Sequence, residues 1–166
     1  MGDKPLKISF QHFLEKFPEV EFPVTLGEDT HHIFSSKNDP LPALMIEQFI
    51  LPIEEEEVDE FTEFIACFRM PAQKEYQGIV YWRAGLLNYQ YILVTFGKDE
   101  KMIDKRVIGG SFYDGDKLTQ SVATLEEDGQ IIIASGQEDP NDINPDAAKT
   151  TAYRLQIGTK GKIVNF

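Results

Sequence analysis

The sequence predicts an α+β fold in which two short N-terminal helices precede a bent, mainly antiparallel β-meander of about seven or eight strands. Apolar residues recur at helical spacing early in the chain, and later segments alternate at period two. Short turns rich in Gly and Asp join those later segments, and turns of this length cannot make parallel crossovers. The pattern leaves three alternatives for the sheet: open, folded into a sandwich, or curled into a barrel.

The chain has 166 residues, which fits a single domain over 1–166 because domains commonly hold about 100–200 residues. Its 28 acidic and 16 basic side chains give a formal charge of −12. Such a field repels nucleic-acid backbones and anionic membranes and attracts basic proteins. We therefore expect no nucleic-acid binding and no membrane association, and a basic protein is the candidate partner.

The first residues, MGDKPLKISF, contain neither the apolar stretch nor the cleavage site of a signal peptide. No apolar run elsewhere approaches the roughly 18 residues of a membrane span. These features predict a cytoplasmic protein.

The first helix is predicted near 9–17, with Ser9 as its N-cap and Pro18 just beyond its end. Its apolar residues share one helical face: Phe10, Phe13, Leu14 and Phe17. A second helix is predicted near 40–50, with Asp39 as the cap and Pro40 in the first helical position.

Two segments between these helices are predicted to be irregular. Pro23 makes 21–26 an edge strand or a loop. The polar segment 27–38 is predicted to be a loop around the adjacent His31 and His32.

The meander is predicted over 61–166, with a polar loop at 136–149. An acidic run at 54–57 precedes it, and the cost of burying charge predicts that this run is solvated. Asp128-Gly129 is the strongest hairpin signal in the chain. Gly109-Gly110 is expected to end a strand. The predicted strands are 61–70, 75–84, 88–96, 101–108, 118–126, 130–135, 150–157 and 162–166.

No catalytic or nucleotide-binding motif was found among the nucleophile-elbow, phosphate-loop, zincin and dinucleotide patterns. We accordingly expect no catalytic residue and no cofactor. A calcium loop starting at Asp142 fails because Ala147 and Tyr153 replace the required Gly and Glu. Asp139, Asp142 and Asp146 are the weak remaining candidates for a metal site.

His31 and His32, together with Glu28 and Asp29, offer imidazole and carboxylate groups of the kind used in metal binding and acid–base chemistry. Nothing at helical or strand spacing converges with them, so a solvated loop is the favoured interpretation.

Arg83 is the most informative polar residue of the central stretch 75–96, because it interrupts an otherwise apolar strand. A buried guanidinium without a partner is too costly, so Arg83 must reach solvent, pair with a carboxylate or face a site. Most aromatic residues here are expected to pack in the core. The candidate ligand- or partner-binding residues are Tyr81, Arg83, Tyr89 and Tyr91.

Two functions follow as hypotheses. The first is a non-catalytic binding or protein-interaction module with an acidic surface, and the alternative is a small-ligand-binding sheet or barrel with an aromatic-lined pocket. An exposed apolar patch ringed by acidic residues would favour the first hypothesis. A cavity lined by Tyr81, Arg83 and Tyr91 would favour the second.

Overall fold

The computed structural model describes residues 7–138 and 149–166. Within them lie three short α-helices and nine strands. The helices are α1 (Phe10–Glu15), α2 (Thr30–Lys37) and α3 (Ala43–Met45), and a π-helical turn (Ile46–Ile50) and a 3-10 turn (Leu51–Ile53) follow α3. The strands are β1 (Val24–Leu26), β2 (Glu63–Arg69), β3 (Tyr76–Ala84), β4 (Asn88–Gly97), β5 (Met102–Asp114), β6 (Lys117–Leu125), β7 (Gln130–Glu138), β8 (Lys149–Ile157) and β9 (Ile163–Asn165).

The strands form one antiparallel sheet in which β2 to β9 pair in sequence order and β1 pairs with β6. This order confirms the predicted α+β meander. The sheet is not closed, because the paired path through the described residues ends at β2 on one side and β9 on the other. No helix in the described part of the chain is long and apolar enough to cross a membrane.

The sheet bends because β5 pairs with β6 only over 110–114, while residues 123–125 of β6 pair with β1 instead. The other half of β5 meets β9 through side chains. Asp104 Oδ2 accepts a hydrogen bond from the Ile163 amide at 2.8 Å, and Arg106 donates to the Ile163 carbonyl at 3.1 Å. The β9 edge of the sheet therefore folds back against the half of β5 that does not pair with β6, around a filled interior.

Apolar side chains cover both faces of the central strands, as the period-two pattern predicts. The inner face belongs to the interior of the bend, and its buried residues include Val80, Trp82, Tyr91, Leu93, Ile133 and Leu155. The outer face lies under α1, α3 and the π-helical turn, and its buried residues include Phe13, Phe17, Ile50, Ile79, Tyr81 and Ile92.

The first helix is confirmed, with the Ser9 side chain accepting from the His12 amide. The predicted loop at 27–38 is wrong, because α2 lies within it. Only Phe34 of α2 is buried, so the sequence carries no apolar stripe to reveal the helix. Tertiary contacts hold the helix in place: the side-chain amide of Asn38, just after α2, donates to the carbonyls of Ala66 and Cys67 at 2.7 and 2.8 Å.

The second helix is shorter and more irregular than predicted. It begins at Ala43 after Pro42, so Asp39 and Pro40 are not its cap and first residue. The 21–26 segment does contain an edge strand, β1.

Two predicted strand ends are also wrong. Gly109-Gly110 lies inside β5, next to a β-bulge at which the register shifts. Of the predicted polar loop 136–149, residues 136–138 belong to β7 and residue 149 to β8. The remainder of that loop lies outside the described residues.

Candidate functional site

The outer face of β3 places Tyr81 and Arg83 together, because alternate residues of a strand point to the same side. Both side chains reach the segment that links the 3-10 turn to β2. The Tyr81 hydroxyl donates to Glu54 Oε1 at 2.5 Å, and Arg83 Nε lies 3.0 Å from Glu54 Oε2. Burial, with the hydrogen bond to Glu54, raises the pKa of Tyr81, so its phenol remains a proton donor.

The Arg83–Glu54 ion pair is buried, with side chains only 5% and 4% exposed. Arg83 therefore pairs with a carboxylate, one of the three outcomes that its position allows. The expectation that 54–57 is entirely solvated is wrong for Glu54, because this pair offsets the cost of burying its charge. The Arg83 Nε–H itself is not aligned for a hydrogen bond, so the contact with Glu54 is mainly electrostatic.

The same guanidinium organises the acidic segment, defined here as residues 54–60. Arg83 donates to the Glu57 carbonyl at 3.0 Å, and its Nη1 lies 3.5 Å from Glu56 Oε2. Asp59 Oδ1 accepts from the Phe61 amide at 2.8 Å. These contacts fix the conformation of a segment whose carboxylates would otherwise repel one another.

A cleft of about 210 Å³ separates the acidic segment from the turn between β3 and β4. Its lining residues are Glu56, Glu57, Asp59, Thr62, Arg83, Gly85, Leu86, Leu87 and Asn88. The cleft thus combines three carboxylates, one paired guanidinium and two leucines.

An apolar tip, defined as Phe61, Leu86 and Leu87, borders this cleft. Their exposed fractions are 66%, 75% and 65%. Phe61 precedes Glu63, which pairs with Ala84 at the end of β3, so all three side chains lie at the same end of the sheet. An exposed apolar tip beside acidic residues is the pattern expected of a protein-binding surface.

Tyr89 and Tyr91 lie on the inner face, opposite to Tyr81 and Arg83. A cavity lined jointly by Tyr81, Arg83 and Tyr91 therefore does not form. Tyr91 is 1% exposed and donates to the Gly27 carbonyl at 3.2 Å. Burial raises the pKa of Tyr91, which thus acts as a protonated anchor for the start of α2.

Trp82 is stacked between aromatic neighbours on the inner face. The His31 ring lies 4.3 Å from Trp82, centroid to centroid, with an interplanar angle of 4°. The Tyr89 ring lies 5.8 Å from Trp82 at 5°, and the Tyr91 ring 4.7 Å away at 53°. Residues far apart in the sequence therefore form one aromatic cluster.

An aromatic groove of about 340 Å³ opens beside this cluster, between the start of α2 and strands β4 to β6. Its lining residues are Glu28, Asp29, His31, Trp82, Tyr89, Ser111, Tyr113, Leu118 and Gln120. A narrower extension of about 120 Å³ continues toward Gly27 and Tyr91. Tyr89 and Tyr113 are 42% and 52% exposed and offer the largest accessible ring surfaces.

The four predicted site residues thus divide between two places: Tyr81 and Arg83 support the acidic segment, whereas Tyr89 lines the groove and Tyr91 anchors its wall. Sequence reasoning did not place Trp82 among the site residues and did not predict that His31 stacks on it. The sequence did group His31 with Glu28 and Asp29 as a possible site, and these three residues do line one groove.

In the described part of the chain, no group of three or more His, Cys, Asp or Glu side chains is placed to hold a metal ion. The weak metal candidates Asp139, Asp142 and Asp146 lie outside the described residues. Cys67 is buried, and burial raises the pKa of its thiol well above the usual value.

No family model matches the chain, and neither any curated protein nor any solved structure is significantly similar to it.

Proposed function

We propose that the protein is a non-catalytic interaction module that binds a basic, partly apolar segment of another protein. The observation that carries this proposal is the apolar tip of Phe61, Leu86 and Leu87 beside the carboxylates of the acidic segment. Apolar contact supplies affinity, and complementary charge supplies fast encounter and orientation.

The buried support of the acidic segment strengthens this proposal. Arg83 and Tyr81 hold Glu54 and the Glu57 carbonyl from below, which leaves Glu56 and Asp59 at the cleft. A surface fixed before binding loses less conformational entropy when its partner arrives. The formal charge of −12 adds a long-range attraction for a cationic partner.

A defined peptide tests the proposal. A labelled amphipathic peptide of Lys and Leu is titrated with the protein, and affinity is measured by fluorescence anisotropy at about 50 and 500 mM NaCl. We expect saturable binding that weakens with salt, because the screening length shortens. Replacing both exposed leucines, Leu86→Ser/Leu87→Ser, is expected to weaken binding at least about tenfold.

The matched control is Val107→Ser/Val164→Ser, which removes two apolar side chains that are 40% and 48% exposed elsewhere. This control is expected to bind the peptide like the wild type. A peptide with Glu in place of every Lys should not bind. Equal affinity of the leucine variant and the wild type, or equal binding of the acidic peptide, would overturn the proposal.

A second function, binding of a small ligand, is favoured by the aromatic groove. Its volume of about 340 Å³ lies in the range of small-molecule sites, and it combines ring surfaces with a few polar groups. Saturation-transfer NMR with a mixed set of neutral and charged small molecules tests this function. Tyr89→Ser should remove the signals of any groove ligand, whereas Tyr153→Ser, at a tyrosine of similar exposure outside the groove, should keep them. Signals that survive Tyr89→Ser would contradict it.

A further inference from the structure

The aromatic groove has a marked electrostatic character. Glu28 and Asp29 line it from the start of α2, and none of its described lining residues is Lys or Arg. The positive end of the α2 backbone lies close to these carboxylates, but a helix terminus carries only about half a unit charge and offsets part of their negative charge. An anionic ligand would therefore be repelled.

The ring surfaces add a second attraction for positive charge. The faces of Tyr and Trp carry negative partial charge and attract a cation placed within about 6 Å of the ring. Trp82 and Tyr89 are almost parallel. Tyr113 lies on the same inner face, because Ser111, two residues before it in β5, pairs with Tyr89. Carboxylates and accessible rings thus act on the same space.

The polar groups at the groove floor suit a ligand that carries one further hydrogen-bonding group. Ser111 and Gln120 face each other across the β5–β6 pair, on the groove side of the sheet. A hydroxyl or amide of a ligand whose positive charge lies between Glu28 and Tyr89 can reach toward them.

We propose that the aromatic groove binds a small organic ammonium ion, held by Glu28 and Asp29 and by the ring faces of Tyr89 and Tyr113. This inference rests on the second proposed function, ligand binding in the groove. A neutral ligand of the same shape gains the apolar contacts but loses both the cation–ring attraction and the attraction to the carboxylates.

Choline and its uncharged carbon analogue, 3,3-dimethyl-1-butanol, test the role of charge, because the two molecules share size and shape. Trp82 is the single tryptophan of the chain and lines the groove, so its emission reports on this site alone. Titrations are carried out at constant pH and ionic strength. We expect choline to bind at least about tenfold more tightly than the neutral analogue.

Two pairs of variants locate the binding site. Glu28→Gln and Tyr89→Ser are expected to weaken choline binding several-fold, whereas Glu127→Gln and Tyr153→Ser remove the same groups elsewhere and should leave it unchanged. Far-ultraviolet circular dichroism and melting temperature verify that each variant folds. Gln carries no charge and Ser has no ring, so a loss of choline affinity confined to Glu28→Gln and Tyr89→Ser supports the proposal.

Equal affinities for choline and 3,3-dimethyl-1-butanol would overturn the ammonium inference while leaving ligand binding in the groove intact. The absence of a saturable change with choline up to about 100 mM, a range that covers even weak binding, would also overturn it. In that case the NMR screen with Tyr89→Ser decides separately whether the groove binds any ligand.

Discussion

Arg83 and Glu54 form a buried ion pair, with Nε and Oε2 3.0 Å apart, that joins β3 to the acidic segment. The pair lies on the outer face of the sheet, next to the Tyr81 hydroxyl that donates to the same carboxylate. Its position couples stability to the proposed binding surface, because the same guanidinium also holds the Glu57 carbonyl and approaches Glu56.

Glu54→Gln is expected to lower the free energy of unfolding by about 3–5 kcal/mol. The substitution keeps the size of the side chain but removes the buried counter-ion of the Arg83 guanidinium and leaves only Glu56, whose side chain is 61% exposed. Chemical denaturation of the wild type and the variant measures the difference.

The control is Glu75→Gln, which removes the partner of Lys98 in an ion pair 3.6 Å long whose side chains are 50% and 63% exposed. Water already solvates this pair, so its loss should change the unfolding free energy by less than about 1 kcal/mol. Similar losses in the two variants would show that the Arg83–Glu54 pair contributes no more than a surface contact.

Asn38→Ala is expected to destabilise the protein by about 1–3 kcal/mol, since it leaves the carbonyls of Ala66 and Cys67 without their side-chain donor. These carbonyls lie at the β-bulge of β2, where the register shifts between Ala66 and Phe68. Thermal and chemical unfolding measure the effect. Gln73→Ala removes an amide with only one local, exposed hydrogen bond and should be nearly neutral. A neutral Asn38→Ala would mean that water replaces the amide.

Much of the meander could be predicted from the sequence because hairpin strands carry their signals locally. The alternation of Val80 and Trp82 with Ile79 and Tyr81 fixes which side chains share a face, and the structure confirms it. The pairing of Arg83 with a carboxylate was one of three outcomes that the cost of a buried charge allowed.

The aromatic groove could not be predicted in the same way, because its walls come from segments distant in the chain. Helix α2 buries only Phe34, so no periodicity reveals it. The hydrogen bonds that fix its two ends, from Asn38 to the bulge in β2 and from Tyr91 to Gly27, are tertiary. The stacking of His31 on Trp82 depends on those contacts. The continuation of β5 through Gly110 likewise depends on a bulge that pairs with β4.

Gly110→Ala is expected to destabilise the protein by about 3 kcal/mol or more. Gly110 has a φ of 126°, and a Cβ there would lie 1.9 Å from the Tyr89 carbonyl oxygen, which the paired backbone cannot move away from easily. Chemical denaturation measures the loss, together with the emission of Trp82, whose stacking partner Tyr89 would be displaced.

Gly115→Ala separates crowding from backbone strain. Gly115 also has a positive φ, 64°, but nothing lies within 4 Å of the position that a Cβ would occupy. Its substitution should cost only about 1 kcal/mol, the usual cost of a left-handed residue with a side chain. Equal costs for the two variants would show that the bulge relaxes around the new methyl group.

The emission of Trp82 is expected to fall at acidic pH with a midpoint below 6.5, the ordinary pKa of histidine. Partial burial and the nearby His32 lower the pKa of His31, while the hydrogen bond to the Glu28 carbonyl and the charge of Asp29 oppose the shift. A protonated imidazole stacked on an indole accepts an electron from the excited indole, so protonation of His31 should quench the emission of Trp82. A fluorescence titration of the folded protein measures the midpoint.

The lowered pKa of His31 also determines how the stability of the protein changes with pH. Because the pKa of His31 is lower in the folded chain than in the unfolded chain, the unfolded chain binds more protons between the two values. The contribution of neutral His31 to stability is therefore complete above pH 6.5 and is lost as the pH falls through the folded-state pKa. Denaturation curves at a series of pH values should show this loss in the wild type and a smaller one in His31→Phe.

His31→Phe and His32→Phe distinguish the stacked ring from its neighbour. The first variant keeps an aromatic ring on Trp82 but cannot titrate, so the acidic quenching should disappear. The second removes the His32 imidazole, whose ring centroid lies 4.0 Å from that of His31 and which lowers the pKa of His31. Quenching should therefore persist in His32→Phe, with its midpoint shifted upward. Quenching that survives in His31→Phe with an unchanged midpoint would place the titrating group elsewhere and contradict the stacked arrangement at the aromatic groove.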